Sequence, residues 1–314
     1  MIGGRVTTIV REVEFHGYRD CVRIENDHAR VVLGPACGGR VLGYSWKGEE
    51  AIDLDPAQAG WTWRPGGPEI DPWGGRFDVG PEKTIVRHPT LWLGPWTAEE
   101  GDAGSVRLRS AADPASGLRI LREFRLDPAG SHLRCTQVVT NASGAPRSFC
   151  HWGRTLARGG GIVVIPATEG SRYPHGWVQY RTGTALVDFA PEEPGVRSRD
   201  GFLEIFGPLR HAKLCFDTAA GWFAYLLPSG RLFVKRYPVF PDRVYNDLSG
   251  CTLSIWFFED RVCELEPIGP AERLAPGASA SFTEEWWLLE HPFPARRDAL
   301  DLRAVAERVE REAR

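Results

Sequence analysis

The sequence is short of several things, and each shortage narrows what the chain does. Only Lys47, Lys83, Lys213 and Lys235 are lysine among its 38 basic residues, and Met1 is its only methionine; a GC-rich genome accounts for both. No run of about 18 apolar residues occurs, so no membrane-spanning helix is expected. The segment Met1 to Val10 lacks the basic stretch and apolar core of a secretory signal. The seven cysteines (Cys21, Cys37, Cys135, Cys150, Cys215, Cys251 and Cys263) are odd in number, scattered and never spaced Cys-x-x-Cys. That pattern suggests neither a disulfide framework nor a zinc site, and predicts reduced thiols in a soluble, cytoplasmic protein. A large charge of one sign is also missing: 38 basic against 41 acidic residues leave a formal charge of -3. This argues against neutralisation of many phosphates, so neither nucleic acid nor a membrane is an expected partner.

Signature motifs are absent as well. Gly38-Gly39 and Gly159-Gly160-Gly161 lack the strand, loop and helix context of a phosphate loop, and read as turns and bulges. There is no His-Glu-x-x-His, no Gly-x-Ser-x-Gly and no acidic calcium loop, so no metal or other cofactor is expected.

What is present is alternation. In Leu118-Arg-Ile120-Leu-Arg-Glu-Phe124-Arg-Leu126 the apolar side chains fall mainly on even positions, as in a half-buried strand, and Asp127-Pro-Ala-Gly130 reads as the turn into a partner, Leu133 to Thr140. Similar short runs recur as far as Ser281-Leu289, predicting an all-β, antiparallel protein. Only the end departs from this period. Leu302, Val305, Ala306, Val309 and Ala313 mark one face of a helix over about 298–313, expected to dock on the outside of a sheet. With no linker and no repeat, the 314 residues read as one domain, a length that a β-sandwich can absorb. The Gly- and Pro-rich stretch Trp61 to Gly75 carries Trp61, Trp63 and Trp73, with Trp92 and Trp96 following. Two readings stand: aromatics packing a loop core, or a stacking platform for a sugar ring.

Chemistry must then come from isolated side chains on strand ends. His151 follows a strand, a turn and a new strand and precedes Trp152-Gly153-Arg154; it is either a buried, hydrogen-bonded histidine or a catalytic group. Glu264 and Glu266, two apart, share one face of a strand, and in a cleft one of them would have a raised pKa suited to general base work. Lys235 and Arg236 point to opposite faces, so one of them should reach any cleft. Arg76, Glu82 and His88 add polar groups around the loop.

Taken in order, these segments resemble the galactose mutarotase-like superfamily, the aldose 1-epimerases and their relatives. Val31 to Tyr44 (VVLGPACGGRVLGY) is similar to its opening strands, and Thr140-Asn141 with Gly144, Pro146 and His151 to its strand, turn and central histidine. Glu264-Leu-Glu266, Leu274-Ala-Pro-Gly277 and Glu285-Trp286-Trp287-Leu288 resemble its C-terminal glutamate and closing strands. A bacterial branch of the superfamily is similar at Gly74-Gly75-Arg76, Pro81-Glu82, Gly221-Trp222, Phe233-Val-Lys-Arg236 and Glu264 to Pro270. The chain departs from true aldose 1-epimerases at Gly80, near where they carry an Asn-Arg pair, and at Trp73, where they carry a histidine before two glycines.

The resemblance implies a large antiparallel β-sandwich that binds a small-molecule carbohydrate. His151 would be the acid and Glu266 the base, with Glu264 as the alternative. Arg76, Glu82, His88, Trp73, Arg154, Lys235 and Arg236 would hold the substrate, an anionic or modified sugar being suggested by the basic residues among them. A lyase or isomerase on the same scaffold and a non-catalytic carbohydrate-binding protein are the alternatives, because fold does not carry function with it.

Overall fold

The computed structural model describes residues 8–184, 186–247 and 249–313, so residues 1–7 of the segment read for a signal lie outside the described residues. The strands are β1 (Ile9–Phe15), β2 (Tyr18–Glu25), β3 (Ala29–Gly34), β4 (Arg40–Trp46), β5 (Glu49–Glu50), β6 (Gly75–Gly80), β7 (Trp96–Glu100), β8 (Val106–Ser110), β9 (Leu118–Leu126), β10 (Leu133–Asn141) and β11 (Arg147–Arg158). They continue as β12 (Ile162–Pro166), β13 (Trp177–Tyr180), β14 (Val187–Asp188), β15 (Val196–Arg199), β16 (Phe202–Phe206), β17 (Lys213–Phe216), β18 (Trp222–Leu227), β19 (Arg231–Arg236), β20 (Leu253–Phe258), β21 (Val262–Leu274) and β22 (Ser279–Glu290). The helices are α1 (Pro89–Trp92) and α2 (Leu302–Glu312). Two large antiparallel sheets, of 12 and 10 strands, make the chain an all-β sandwich with a short C-terminal helix, as the alternation predicts.

The chain forms two compact units. The first comprises residues up to 78, 85–148 and 272–286. It contains the strand runs β1-β2-β3-β4 and β10-β9-β8-β7, with β5 on β4. The predicted hairpin is here, with Leu126 opposite Leu133 and Phe124 opposite Cys135. Alternation along β9 buries one polar residue, Arg122, whose Nη1 donates to the Gly39 carbonyl at 2.8 Å while its guanidinium lies 4.8 Å from the Phe124 ring centroid. Trp61, Trp63 and Trp92 pack against Tyr18, Leu42 and Leu93, and buried Trp96 donates to the Leu91 carbonyl. For these four the loop-core reading describes the packing.

The second unit comprises residues 79–84, 149–271 and 287–314. Its strand runs are β11-β21-β20-β17-β13-β14 and β15-β16-β12-β18-β19. Helix α2 docks as predicted: Leu302, Val305, Val309 and Ala313 are buried with Ile162, Trp222, Leu226 and Val234 of β12, β18 and β19. One expectation is corrected here. Cys215 on β17 is joined to Cys251, just before β20, in a disulfide with Cα atoms 5.6 Å apart, while the other five cysteines are buried and not disulfide-bonded. Neighbouring strands brought the two sulfurs together across 36 residues of sequence, a pairing that no local spacing announces.

Candidate functional site

Within the second unit, β21 has Glu264 and Glu266 on one face and Leu265 on the other, as strand alternation requires. Leu265 opposes Ile255, which opposes Leu214, and all three are fully buried. The opposite face carries polar rows. One reads Tyr180, Lys213, Trp256, Glu264 across β13, β17, β20 and β21; the next reads Val178, Cys215, Ser254, Glu266. Val178 and Cys215 of the second row belong to a buried apolar cluster with Cys150, Trp152, Tyr173, Cys251 and Ile268.

Both carboxylates are matched by cations from neighbouring strands. Arg154 on β11 grips Glu264 bidentately, Nε to Oε1 at 2.9 Å and Nη2 to Oε2 at 3.2 Å, and its Nε is 3.8 Å from Glu266 Oε1. Lys213 Nζ donates to both oxygens of Glu266, at 3.1 and 2.8 Å, and is 3.6 Å from Glu82 Oε2. The Trp152 ring lies against both cations, 4.3 Å from the Arg154 guanidinium and 5.1 Å from Lys213 Nζ. Exposure rises outward, from 0% for the Glu266 side chain to 17% for Lys213 and 27% for Glu82. Any solute therefore meets Lys213 and Glu82 before Glu266.

Burial pushes the Glu266 carboxyl up to about 8; Lys213 opposes this and the Glu264 charge adds to it. Lys213 goes the other way from what burial alone would do: burial lowers it, but Glu266, Glu82 and Glu264 together hold it above the ordinary lysine value. Glu82 is held below its ordinary value, Lys213 and Lys83 outweighing its burial.

A glycine positions Glu82. A Cβ at Gly80 would sit 2.7 Å from Cys150 Sγ and 3.1 Å from Asp247 Oδ2, so only glycine lets the end of β6 pass so close. Asp247, fully buried, then accepts from the Glu82 backbone N–H at 2.9 Å. Beside this lies a cleft of about 660 Å³ lined by Pro81, Lys83, Tyr180, Val187, Asn246 and Ser249, with the Tyr180 hydroxyl 2.6 Å from Ser249 Oγ. Tyr180, which lines the cleft, is the register partner of Lys213 and so stands at one end of the charged row.

Of the residues expected from sequence, Glu264, Glu266, Arg154 and Glu82 come together. His151 does not join them. It is buried with its ring edge-on to Phe149, 5.2 Å between centroids, and strand alternation turns it away from the face of Trp152 and Arg154. Neither Lys235 nor Arg236 reaches the site. Lys235 Nζ is buried against Thr155 Oγ1 at 2.7 Å and the Leu265 carbonyl at 3.3 Å, while Arg236 lies opposite Trp222 and shares a strand face with Val234, which packs in the α2 cluster.

Trp73, Arg76 and His88 belong to the first unit. Half-buried Trp73 is held through its backbone, its carbonyl accepting from Arg40 and its N–H donating to Gln58 Oε1. Buried Arg76 pairs with Asp71 at 2.5 Å and lies over the Trp92 ring. His88 has the Val86 carbonyl 2.7 Å from Nδ1 and the Asp78 carboxylate 2.6 Å from Nε2. A carbonyl only accepts, so Nδ1 carries a proton; burial lowers the pKa of His88, but the bond and charge of Asp78 outweigh it and raise the pKa above the ordinary histidine value. The sequence reading missed Lys213, Trp152, Trp256 and Asp247. One signal for Lys213 was available: in a chain with so few lysines, a lysine inside an apolar strand calls for a reason.

No protein-family model matches the sequence, and neither does any curated protein. Solved structures do match. The Slr1438 protein from Synechocystis is 16% identical with a TM-score of 0.60, the alignment covering 90% of this chain and 100% of that one. A galactose mutarotase-like protein from Lactobacillus casei is 12% identical with a TM-score of 0.60, covering 86% and 100%. A second galactose mutarotase-like protein, from Clostridium acetobutylicum, is 12% identical with a TM-score of 0.55, covering 90% and 99%. The fold is therefore that of the galactose mutarotase-like proteins, as the ordered sequence segments imply. Fold is all that similarity at this level carries.

Proposed function

We propose that the chain is a carbohydrate-active enzyme that interconverts the anomers of a sugar by general acid/base catalysis, with Glu266 as base and Lys213 as acid. The observation that carries this reading is the Glu266–Lys213 pair itself: a buried carboxylate with a raised proton affinity, bonded to an ammonium whose register partner, Tyr180, lines a cleft. Mutarotation needs both functions at once. A base removes the proton of the anomeric hydroxyl while an acid protonates the ring oxygen; the bond from C1 to the ring oxygen breaks and C1 becomes an aldehyde. Rotation about C1–C2 and return of both protons closes the ring on its other face.

An anomeric hydroxyl entering beside Lys213 replaces one of its two bonds to Glu266 and so reaches the carboxylate. Glu264, paired with Arg154, stands at its side, and the Glu264 charge supports the raised pKa of Glu266. Glu82, Glu264 and Glu266 are balanced by Lys83, Arg154 and Lys213. This balance favours a neutral sugar over the anionic one suggested by the sequence. The likeness to mutarotase-like folds supports a sugar as ligand.

Anomer interconversion across a panel of neutral, uronic and phosphorylated sugars, followed by polarimetry, tests the reading. Glu266→Gln and Lys213→Met should each lower turnover by roughly 10² or more, whereas His151→Leu should leave turnover unchanged. Wild-type protein that accelerates no sugar in the panel would overturn the proposal. If His151→Leu alone abolished turnover in a folded protein, the acid would be His151.

A further inference from the structure

Two aromatic rings extend the charged face beyond the acid/base pair. Trp256 and Phe258, two residues apart on one side of β20, stack with centroids 5.4 Å apart and planes 7° from parallel. Trp256 stands in the row between Lys213 and Glu264 and is half-buried; Phe258 is one row further out, opposite Val262, and is 39% exposed. Exposure along this face of β20 therefore rises stepwise from Ser254, fully buried, through Trp256 to Phe258. Lone exposed aromatics are common, but a parallel pair leading from a buried ionic cluster into solvent forms one continuous apolar ledge.

We propose that Trp256 and Phe258 form a second sugar subsite, so that the preferred substrate is a reducing disaccharide or longer reducing oligosaccharide. The inference rests on the reading of the neighbouring site as a sugar epimerase. A pyranose presents a face of C–H bonds, which packs well on an aromatic surface, and two residues of strand advance about 7 Å, comparable with one sugar ring. The chemistry fixes which end of the chain lies where. The anomeric carbon must be free for the ring to open, so the second ring must hang from another hydroxyl. The reducing-end sugar then meets Lys213 and Glu266 while its neighbour lies on the ledge. Tyr180, at the end of the same row, lines a cleft of about 660 Å³.

The test compares kcat/KM for mutarotation and binding by calorimetry, using glucose and galactose against maltose, cellobiose and lactose. Phe258 lies outside the acid/base machinery and its side chain is exposed, so Phe258→Ala is the informative variant. Wild-type protein should prefer at least one disaccharide to its monosaccharide. Phe258→Ala should weaken that disaccharide about threefold to tenfold with the monosaccharide unchanged, and Phe258→Tyr should restore it. Thermal unfolding checks that the variants are folded. Monosaccharide turnover with no disaccharide preference, or a preference that survives Phe258→Ala, overturns the subsite and leaves the epimerase reading standing. Absence of any sugar binding or turnover in the wild type overturns both.

Discussion

At the scale of single residues, Glu266 is the group whose ionisation the fold alters in the direction a base requires. Burial raises its pKa to about 8, far above the ~4.3 of an unstructured glutamate. Its carboxylate, the form that accepts a proton, is thus filled only as pH rises through that value, so kcat/KM should climb over the same range and then level. The stability effect has the opposite sense. With the folded pKa raised, the stability contributed by the protonated form is fully present below about 4.3 and is lost as pH rises through about 8. Glu266→Gln should therefore remove the rising limb of the residual rate and also flatten the fall in melting temperature between about pH 4.3 and 8. An unchanged fall in the variant would mean that other groups set it. Sequence pointed to Glu264 and Glu266 because i, i+2 spacing fixes a shared face whatever the tertiary context. It could not place His151, because facing depends on which side of β11 meets β21, and β11 is buried on both sides over most of its length.

At the scale of elements, legibility follows from whether one face is wet. Strand β9 alternates buried and more exposed positions and was read correctly from its period, as was α2 from its apolar stripe. Strand β21 is buried at every position from Val262 to Pro270, so nothing in its period shows which side is which. The helix invites a direct check. Asp301 caps it by accepting from the N–H groups of Arg303 at 3.1 Å and Ala304 at 3.0 Å, and Leu302 fills the cluster beneath. Asp301→Ala should cost about 1 kcal/mol and Leu302→Ala about 3 kcal/mol in urea unfolding. Exposed Glu307→Ala should be near neutral. Equal losses for Leu302→Ala and Glu307→Ala would mean that the helix is not docked.

At the scale of the whole molecule, the sandwich was legible because weak motifs recur in one order over most of the chain, while a solved structure of the same fold is only 12% identical. The disulfide was not legible, because its partners meet only through the pairing of β17 with β20 and are separated by 36 residues. Closing a loop of that length removes denatured-state entropy worth about 4 kcal/mol in the chain-entropy account, native strain aside. The bond also stands two residues from Lys213 and directly after the loop carrying Asp247 and Ser249, so it ties the cleft wall to the strand that presents the acid. Protein unfolded in denaturant without reductant should titrate five thiols, and seven after reduction. Cys251→Ser should lower stability by about 2 to 4 kcal/mol under non-reducing conditions and by much less once the wild type is reduced. Seven thiols without reductant would mean that Cys215 and Cys251 pack side by side as thiols, and the difference in stability between oxidised and reduced protein should then vanish.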